Sequence, residues 1–430
     1  MFSWVFFLKQ SLTKPFNQEV IKLKAIDQGI CQRCGGSVDN SVTDEHYRLY
    51  CQDCQSFERI IEGQTLWRYV RAITPTLHQL SMKFELSAEQ KEASEYLLES
   101  VKNHREGYLH AVCGAGKTEI LYETILYCLN QDYRVCFVIP RTDVVKELFS
   151  RLISIFPKTI IKPLYQGHHD DENAHLLIST VHQLIHYYQE FNLIILDEAD
   201  AFPYKNNPML NRLVFRAIQP GGSFVMMSAT FKASHLVYIH KNKKPYFRLP
   251  ARYHRHLLDQ FKIVFIHKIT PNYYPEDFSK TLENWVMKSW SLSHRVMLFV
   301  PTIPFGYLIF RHLKKLPVKV LNVSSQEPNR HEYIQQFKNG KTDVLITTTL
   351  LERGITIKGV DVGVIKADHF VFDCDTLVQI AGRVGRHYEQ PTGEIVLFTE
   401  RINREIKAAQ KYVKKMNKEA MKRGLIDGDM

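Results

Sequence analysis

From residue 86 onward, short apolar runs alternate with amphipathic helical stretches. Apolar, β-branched runs predict strands that are buried on both faces, and their alternation with helices predicts βαβ units with parallel sheets. The predicted strands lie at residues 108–112, 134–140, 176–179, 193–197 and 223–228 in a first block, and at 295–300, 318–323, 343–347, 362–366 and 394–398 in a second. We therefore predict an α/β fold with two similar lobes.

A chain of 430 residues is longer than a single domain with one hydrophobic core usually is. Its apolar content of 45% excludes a disordered chain. The N-terminus lacks the basic leader and cleavage site of a signal peptide, and no apolar run approaches the roughly 18 residues of a membrane span. The predicted layout is a leader at 1–30, a cysteine-rich segment at 31–60, a connector at 61–85 with a helix near 60–72, a first lobe at 86–250, an inter-lobe segment at 251–275, a second lobe at 276–400 and a basic helix at 401–430.

A glycine-rich segment, AVCGAGKT at 111–118, follows a predicted strand and precedes a helical stretch, which is the context of a phosphate-binding loop. Gly114 and Gly116 let backbone N–H groups close around phosphate oxygens, and the helix N-terminus adds its dipole. Lys117 is expected to reach the β- and γ-phosphates of ATP, and Thr118 to bind Mg²⁺. The generic motif begins with Gly where this chain has Ala111. The residues expected to contact ATP are Cys113, Gly114, Ala115, Gly116, Lys117 and Thr118.

An apolar run at 191–196 ends in Asp197 and Glu198. A buried strand that ends in two acids places both at the carboxyl edge of the sheet, where ligands bind in open α/β folds. Asp197 is expected to hold Mg²⁺, and Glu198 to orient and deprotonate the attacking water. A solvated acidic turn is the alternative when this run is taken alone.

Gln379, Arg383 and Arg386 lie in QIAGRVGR at 379–386. Two arginines three residues apart lie on one side of a helix or turn. Arginines supplied to a γ-phosphate by a second lobe make closure dependent on ATP. Ordinary surface arginines are the alternative.

Together with DEAD at 197–200, SAT at 228–230 and TTTLLERGIT at 347–356, these segments resemble the ordered motifs of superfamily 2 helicases. LSAEQ at 86–90 resembles their adenine-reading element, and PRT at 140–142 and STVHQ at 179–183 resemble their strand-contacting motifs. The resemblance covers about 86–400 and implies RecA-like lobes. The opening Gln379-Ile380 of the last motif is more similar to DNA translocases than to the RNA helicases of that superfamily.

The resemblance also implies roles for single residues. Gln90 is implied to recognise the adenine base. Ser228 and Thr230 are implied to couple the acidic segment to lobe movement. The resemblance places Thr347, Gly354 and Thr356 at the lobe interface, and it makes Gln379, Arg383 and Arg386 part of the catalytic set, with the two arginines as fingers.

Two CxxC pairs, Cys31/Cys34 and Cys51/Cys54, are separated by sixteen residues. This spacing predicts a tetrahedral Cys₄ zinc ribbon, and four protein ligands make the metal structural. Redox dithiols are the alternative, but a single pair beside a βαβ unit is their usual setting. The basic neighbours of the ribbon, Arg33, Arg48 and Arg59, are explained equally by a nucleic-acid surface and by solvation.

A Cys₄ ribbon ahead of a compact helicase core resembles the ComFA family of competence DNA-uptake ATPases, and LPARYH at 249–254 adds to the resemblance. Replication-restart helicases of the PriA type are the rival, although their cysteines are inserted within the motor. A repair or RNA-remodelling helicase and a binding module with an idle ATPase are further alternatives.

The resemblance implies an ATP-dependent translocase that drives single-stranded DNA across the membrane during competence, with ATP, Mg²⁺ and structural Zn²⁺. It implies a cytoplasmic protein that attaches peripherally to the inner face of the cell membrane through partners, which are a membrane DNA channel protein and a ComFC-type partner. A formal net charge of +11 favours a polyanionic ligand. Oligomerisation stays open, as does the choice between DNA contact and partner docking for the basic C-terminal helix.

Overall fold

The computed structural model describes residues 3–8, 20–71, 74–231, 233–270, 275–349 and 357–427. The chain forms two compact units, the first from residues 1–110 and 117–248 and the second from 111–116 and 249–430. Gly354 and Thr356, which the sequence assigns to a helicase motif, lie outside the described residues. Within the described ranges, none of the helices combines the length and apolarity that a bilayer crossing requires.

The first unit is built on a seven-stranded sheet in the order β13-β6-β12-β11-β7-β9-β8. Its strands are β6 (Gly107–Ala111), β7 (Val135–Ile139), β8 (Ile161–Leu164), β9 (Leu176–Thr180), β11 (Phe191–Leu196), β12 (Ile218–Ser228) and β13 (Tyr246–Leu249). β11 pairs in parallel with β7 and β12. Every residue of β6, β7, β9 and β11 is buried, so their apolar runs form the centre of the sheet.

Helices connect these strands. They are α1 (Ala88–Lys102), α2 (Lys117–Ile120), α3 (Tyr122–Asn130), α4 (Thr142–Ile155), α5 (Pro208–Ala217) and α6 (Ala233–Lys241), with a 3₁₀ helix at Val181–His186. Asn207 caps α5 by accepting a hydrogen bond from the backbone N–H of Leu210, and Pro208 occupies the first helical turn.

Strands from the N-terminal leader and the connector form a further sheet with one short strand of the first lobe, in the order β10-β1-β5-β2. Its strands are β1 (Ser3–Leu8), β2 (Val20–Lys24), β5 (Thr65–Arg71) and β10 (Tyr187–Tyr188). β5 pairs antiparallel with β1 and β2. The predicted helix near 60–72 is therefore wrong, because the β-branched and aromatic residues of TLWRYVR pair with strands distant in sequence. Two short strands, β3 (Ile26–Asp27) and β4 (Ile30–Cys31), lead into the cysteine-rich segment.

The second unit contains a six-stranded sheet in the order β14-β19-β18-β15-β17-β16, with all adjacent pairs parallel. Its strands are β14 (Phe261–Phe265), β15 (Arg295–Phe299), β16 (Val320–Val323), β17 (Val344–Thr347), β18 (Val360–Ile365) and β19 (Ile395–Thr399). Its helices are α7 (Glu276–Ser291), α8 (Ile303–Leu313), α9 (Arg330–Lys338), α10 (Cys374–Ala381) and α11 (Arg404–Lys422).

The prediction of two parallel-sheet lobes is confirmed, and each of the ten predicted strands overlaps a strand of the structure. Within these two sheets, three further strands of the described residues were missed, namely β8, β13 and β14. β14 lies within the predicted inter-lobe segment but pairs with β19, so this stretch contributes an edge strand to the second sheet.

Candidate active site and metal centre

The phosphate-binding loop lies between β6 and α2. Gly114 and Gly116 have φ angles of +83° and +76°, in the left-handed region that favours glycine. Side chains are excluded at both bends, so backbone N–H groups can line the loop. The two glycines therefore have the backbone conformation that a phosphate-binding loop requires.

The first unit contains the side chains predicted to bind Mg²⁺. Thr118 is the second residue of α2, and its Oγ1 accepts a hydrogen bond of 3.2 Å from Arg151 Nη2. Asp197 follows β11, and burial raises the pKa of its carboxyl to about 6, while the positive charge of Lys117 acts in the opposite direction. A half-buried carboxylate close to one cation is suited to receive a divalent ion. The donor set of Thr118 and Asp197 fits magnesium, whose preferred ligands are oxygens.

The acidic segment is coupled to SAT at 228–230 by direct hydrogen bonds. Ser228 Oγ donates to Asp200 Oδ1 at 2.5 Å, and Thr230 Oγ1 donates to Asp200 Oδ2 at 2.9 Å. All three side chains are buried. Sequence reasoning named Ser228 and Thr230 but gave no role to Asp200, which joins them to Asp197 and Glu198.

Gln90 has a local structural role. Its Oε1 accepts a hydrogen bond of 2.9 Å from the Ser87 backbone N–H, while Gln90 N donates to Ser87 Oγ. This reciprocal pair is the capping box that starts α1. The recognition of adenine by Gln90 stays a prediction.

The arginine-bearing segment lies at the end of α10 in the second unit. Gln379 and Arg383 are buried, and Gln379 Oε1 accepts a hydrogen bond of 3.1 Å from Cys113 Sγ of the phosphate-binding loop. A Cβ on Gly382 would overlap Cys113, so glycine permits this close approach. Arg386 Nε donates to the Gly382 carbonyl at 2.6 Å.

Arg252 is a buried residue to which sequence reasoning assigned no role, although it lies in LPARYH. Its Nη1 donates to the Gly385 carbonyl at 2.9 Å and lies 3.3 Å from Asp259 Oδ2. The next residue, Tyr253, donates its backbone N–H to the Gly114 carbonyl at 3.1 Å. This short stretch therefore contacts both the phosphate-binding loop and the turn between Arg383 and Arg386.

The four cysteines of the CxxC pairs come together. Cys31, Cys34, Cys51 and Cys54 are all buried, and their sulfurs lie within 4.8 Å of one another. Cys31 Sγ is 3.8 Å from Cys54 Sγ, and Cys34 Sγ is 3.5 Å from Cys51 Sγ. A zinc tetrahedron with Zn–S bonds of about 2.3 Å requires sulfurs roughly 3.8 Å apart. The Gly36 N–H donates to Cys34 Sγ at 3.3 Å, a contact that would orient this sulfur toward a metal. The cluster therefore fits a structural Cys₄ zinc site.

Comparison with known proteins defines the class of the chain. Residues 83–233 match the family "Type III restriction enzyme, res subunit", and residues 279–388 match the "Helicase conserved C-terminal domain". The fold is similar to that of S. cerevisiae Dbp5 bound to RNA and ADP BeF3, with a TM-score of 0.56 over 77% of this chain and 91% of that chain at 18% identity. The two RecA-like lobes, with the Cys₄ cluster ahead of them, make the chain an ATP-hydrolysing helicase of superfamily 2. This class implies ATP, Mg²⁺ and nucleic acid as ligands.

Two relatives narrow the class. Competence protein ComFA of Streptococcus pneumoniae is 33% identical over 425 residues, covering 96% of this chain and 97% of the relative. Competence protein ComFA of Bacillus subtilis is 33% identical over 399 residues, covering 91% of this chain and 86% of the relative. The chain belongs to the ComFA family.

Proposed function

We propose that this chain is a single-stranded DNA translocase that uses ATP hydrolysis to drive DNA uptake across the membrane during competence. The observation that carries the proposal is the similarity to Competence protein ComFA along nearly the whole chain, with the Cys₄ segment included. The chain works with a membrane DNA channel protein and a ComFC-type partner at the inner face of the cell membrane.

The ATPase chemistry is assigned to residues of the helicase motifs. Lys117 binds the β- and γ-phosphates, Thr118 and Asp197 hold Mg²⁺, and Glu198 accepts the proton of the attacking water. Bound Mg²⁺ supplies charge neutralisation at the phosphates. The pairing of Asp200 with Ser228 and Thr230 supports this proposal, because it connects the acidic segment by hydrogen bonds to the end of β12.

The segment at 379–386 supplies the other residues. Arg383 and Arg386 serve as arginine fingers, and Gln379 belongs to the same catalytic set. Arg252 supports the assignment because it donates a hydrogen bond to the carbonyl of Gly385, between the two arginines. Gly354 is assigned to the nucleotide site by resemblance alone.

Steady-state ATP hydrolysis with three nucleic acids tests the proposal. Single-stranded DNA is expected to raise kcat at least about tenfold over duplex DNA or RNA, and the stimulation should fall as salt rises because phosphate contacts release counterions. The rates are measured at two salt concentrations with strands of equal length. Hydrolysis that ignores single-stranded DNA would contradict the proposal, and stimulation by duplex alone would favour a replication-restart helicase.

A further inference from the structure

The cysteine ribbon, defined here as residues 31–62, has a charge opposite to that of the whole chain. It contains three arginines against six Asp and Glu residues, a formal charge of −3, whereas the chain carries +11. DNA affinity comes largely from cations that neutralise phosphates. An acidic module is poorly suited to hold a DNA backbone.

The three arginines of the ribbon are also engaged within it. Arg48 forms a salt bridge of 2.7 Å with Asp44, and Arg59 lies 4.7 Å from the ring centroid of Tyr50. Arg33 is buried and donates to the Glu58 carbonyl. These side chains make contacts within the ribbon, which neither of the two explanations drawn from the sequence, a nucleic-acid surface and solvation, included.

The ribbon shares its apolar core with α5. Ile60 and the four cysteines belong to the same buried cluster as Leu210 and Leu213 of that helix. A segment of this size buries too little apolar surface to be stable by itself, so metal and docking act together. The ribbon is therefore packed on the helix that follows the acidic segment.

Polar contacts fix how the ribbon sits on α5. Arg212 forms a salt bridge with Asp53, and Arg216 Nη2 donates to the Gln32 carbonyl at 2.9 Å. Gly35 and Gly36 lie directly against these arginines, because a Cβ on Gly35 would come within 2.8 Å of Arg216 Cδ and one on Gly36 within 2.9 Å of Arg212 Nη2. Arginine side chains from the helix thus seat against the turn that follows the first CxxC pair.

Backbone hydrogen bonds lead from Glu198 to α5. Ala201 N donates to the Glu198 carbonyl at 2.8 Å, and Lys205 N donates to the Ala201 carbonyl at 2.8 Å. Asn207 N then donates to the Tyr204 carbonyl at 3.1 Å, and Asn207 caps α5. These backbone hydrogen bonds therefore constrain the turn between the acidic segment and α5.

Glu198 itself has a φ angle of +55°, which is uncommon for a side-chain-bearing residue. Such a conformation persists where the surrounding structure determines it, and it is often found at functional sites. The turn at 201–207 and α5 follow Glu198 in the chain and are part of this surrounding structure. Displacement of α5 would release one of the constraints on Glu198.

We propose that the ribbon is an intramolecular positioning module, which docks on α5 through Asp53, Arg212 and Arg216 and thereby holds Glu198 in place. Its role is to support ATP hydrolysis and to leave DNA binding to other surfaces. The proposal rests on the proposed function only in assigning the general base to Glu198.

Charge reversal at the docking surface tests the proposal. Arg212→Glu is expected to lower the kcat of DNA-stimulated hydrolysis about tenfold, since small displacements of a positioned group are costly. The KM for ATP, the Kd for single-stranded DNA and its salt dependence, and the zinc content should stay within about twofold of wild type. Adding Asp53→Lys to this variant restores the opposite charges and should recover most of the lost rate. Arg311→Glu, an exposed reversal on α8, is the matched control.

A wild-type kcat in Arg212→Glu, a loss confined to KM, or no recovery in the double variant would overturn the proposal. A weakened Kd with a reduced salt slope would overturn it in favour of a DNA-binding ribbon. If Arg212→Glu does not fold, Arg212→Gln removes the charge without placing a second carboxylate beside Asp53, and the outcomes for kcat, KM and Kd apply to it without the double variant. The variants are compared with wild type on the basal rate as well, so a lack of DNA stimulation in wild type contradicts the proposed function without deciding the docking.

Discussion

Glu198→Gln is expected to lose DNA-stimulated ATP hydrolysis by about 10²–10⁴-fold, the range of a lost general base. The amide is nearly the same size as the carboxyl. The variant should therefore retain the left-handed backbone at position 198 and the hydrogen-bonded turn that follows it. ATP binding should therefore persist. Steady-state hydrolysis and binding of a fluorescent ATP analogue measure the two properties separately.

Lys117→Ala is the companion variant. It removes the cation expected at the β- and γ-phosphates, so hydrolysis should be abolished and nucleotide binding weakened as well. Glu99→Gln, an exposed substitution on α1, serves as the control for both. A Glu198→Gln protein with more than about half the wild-type rate would remove Glu198 from its assigned role.

Cys31→Ser is expected to lower the zinc content from about one ion per chain to nearly none. Three thiolates leave the tetrahedral site incomplete, and the free energy of binding structural zinc, about 10–16 kcal/mol in small zinc modules, is also folding free energy. The measurement is metal analysis of the purified protein.

Cys374→Ser provides the matched control, because Cys374 lies on α10 outside the cluster and is only partly buried. The ribbon of Cys31→Ser should also show faster hydrogen exchange, since the ribbon depends on the metal for its structure. A Cys31→Ser protein that retains a full equivalent of zinc would refute the ligand set.

The sheets could be predicted because their strands are continuous apolar runs that alternate with helices. The run before Asp197 and the run before the phosphate-binding loop are both fully buried strands whose carboxyl ends carry functional residues. Motif order then identified the helicase class. Local sequence carries this information since each run is buried on both faces whatever its neighbours are.

Other features depend on contacts between residues that are distant in sequence. β5 pairs with β1 and β2, and no short-range pattern in 60–72 reveals those partners. The salt bridge from Arg212 to Asp53 spans 159 residues, and Arg252 reaches Gly385 across 133. The capping box of Ser87 and Gln90, by contrast, is a local pattern that the sequence at 87–90 carries by itself.

The most direct test of the central claim is displacement of streptavidin from single-stranded DNA that carries biotin at one end. A motor that moves along one strand should displace streptavidin from one of the two ends, only with hydrolysable ATP, and the Glu198→Gln protein should displace none. Displacement that is independent of ATP or equal at both ends, or hydrolysis stimulated by DNA with no displacement at either end, would contradict translocation along single-stranded DNA.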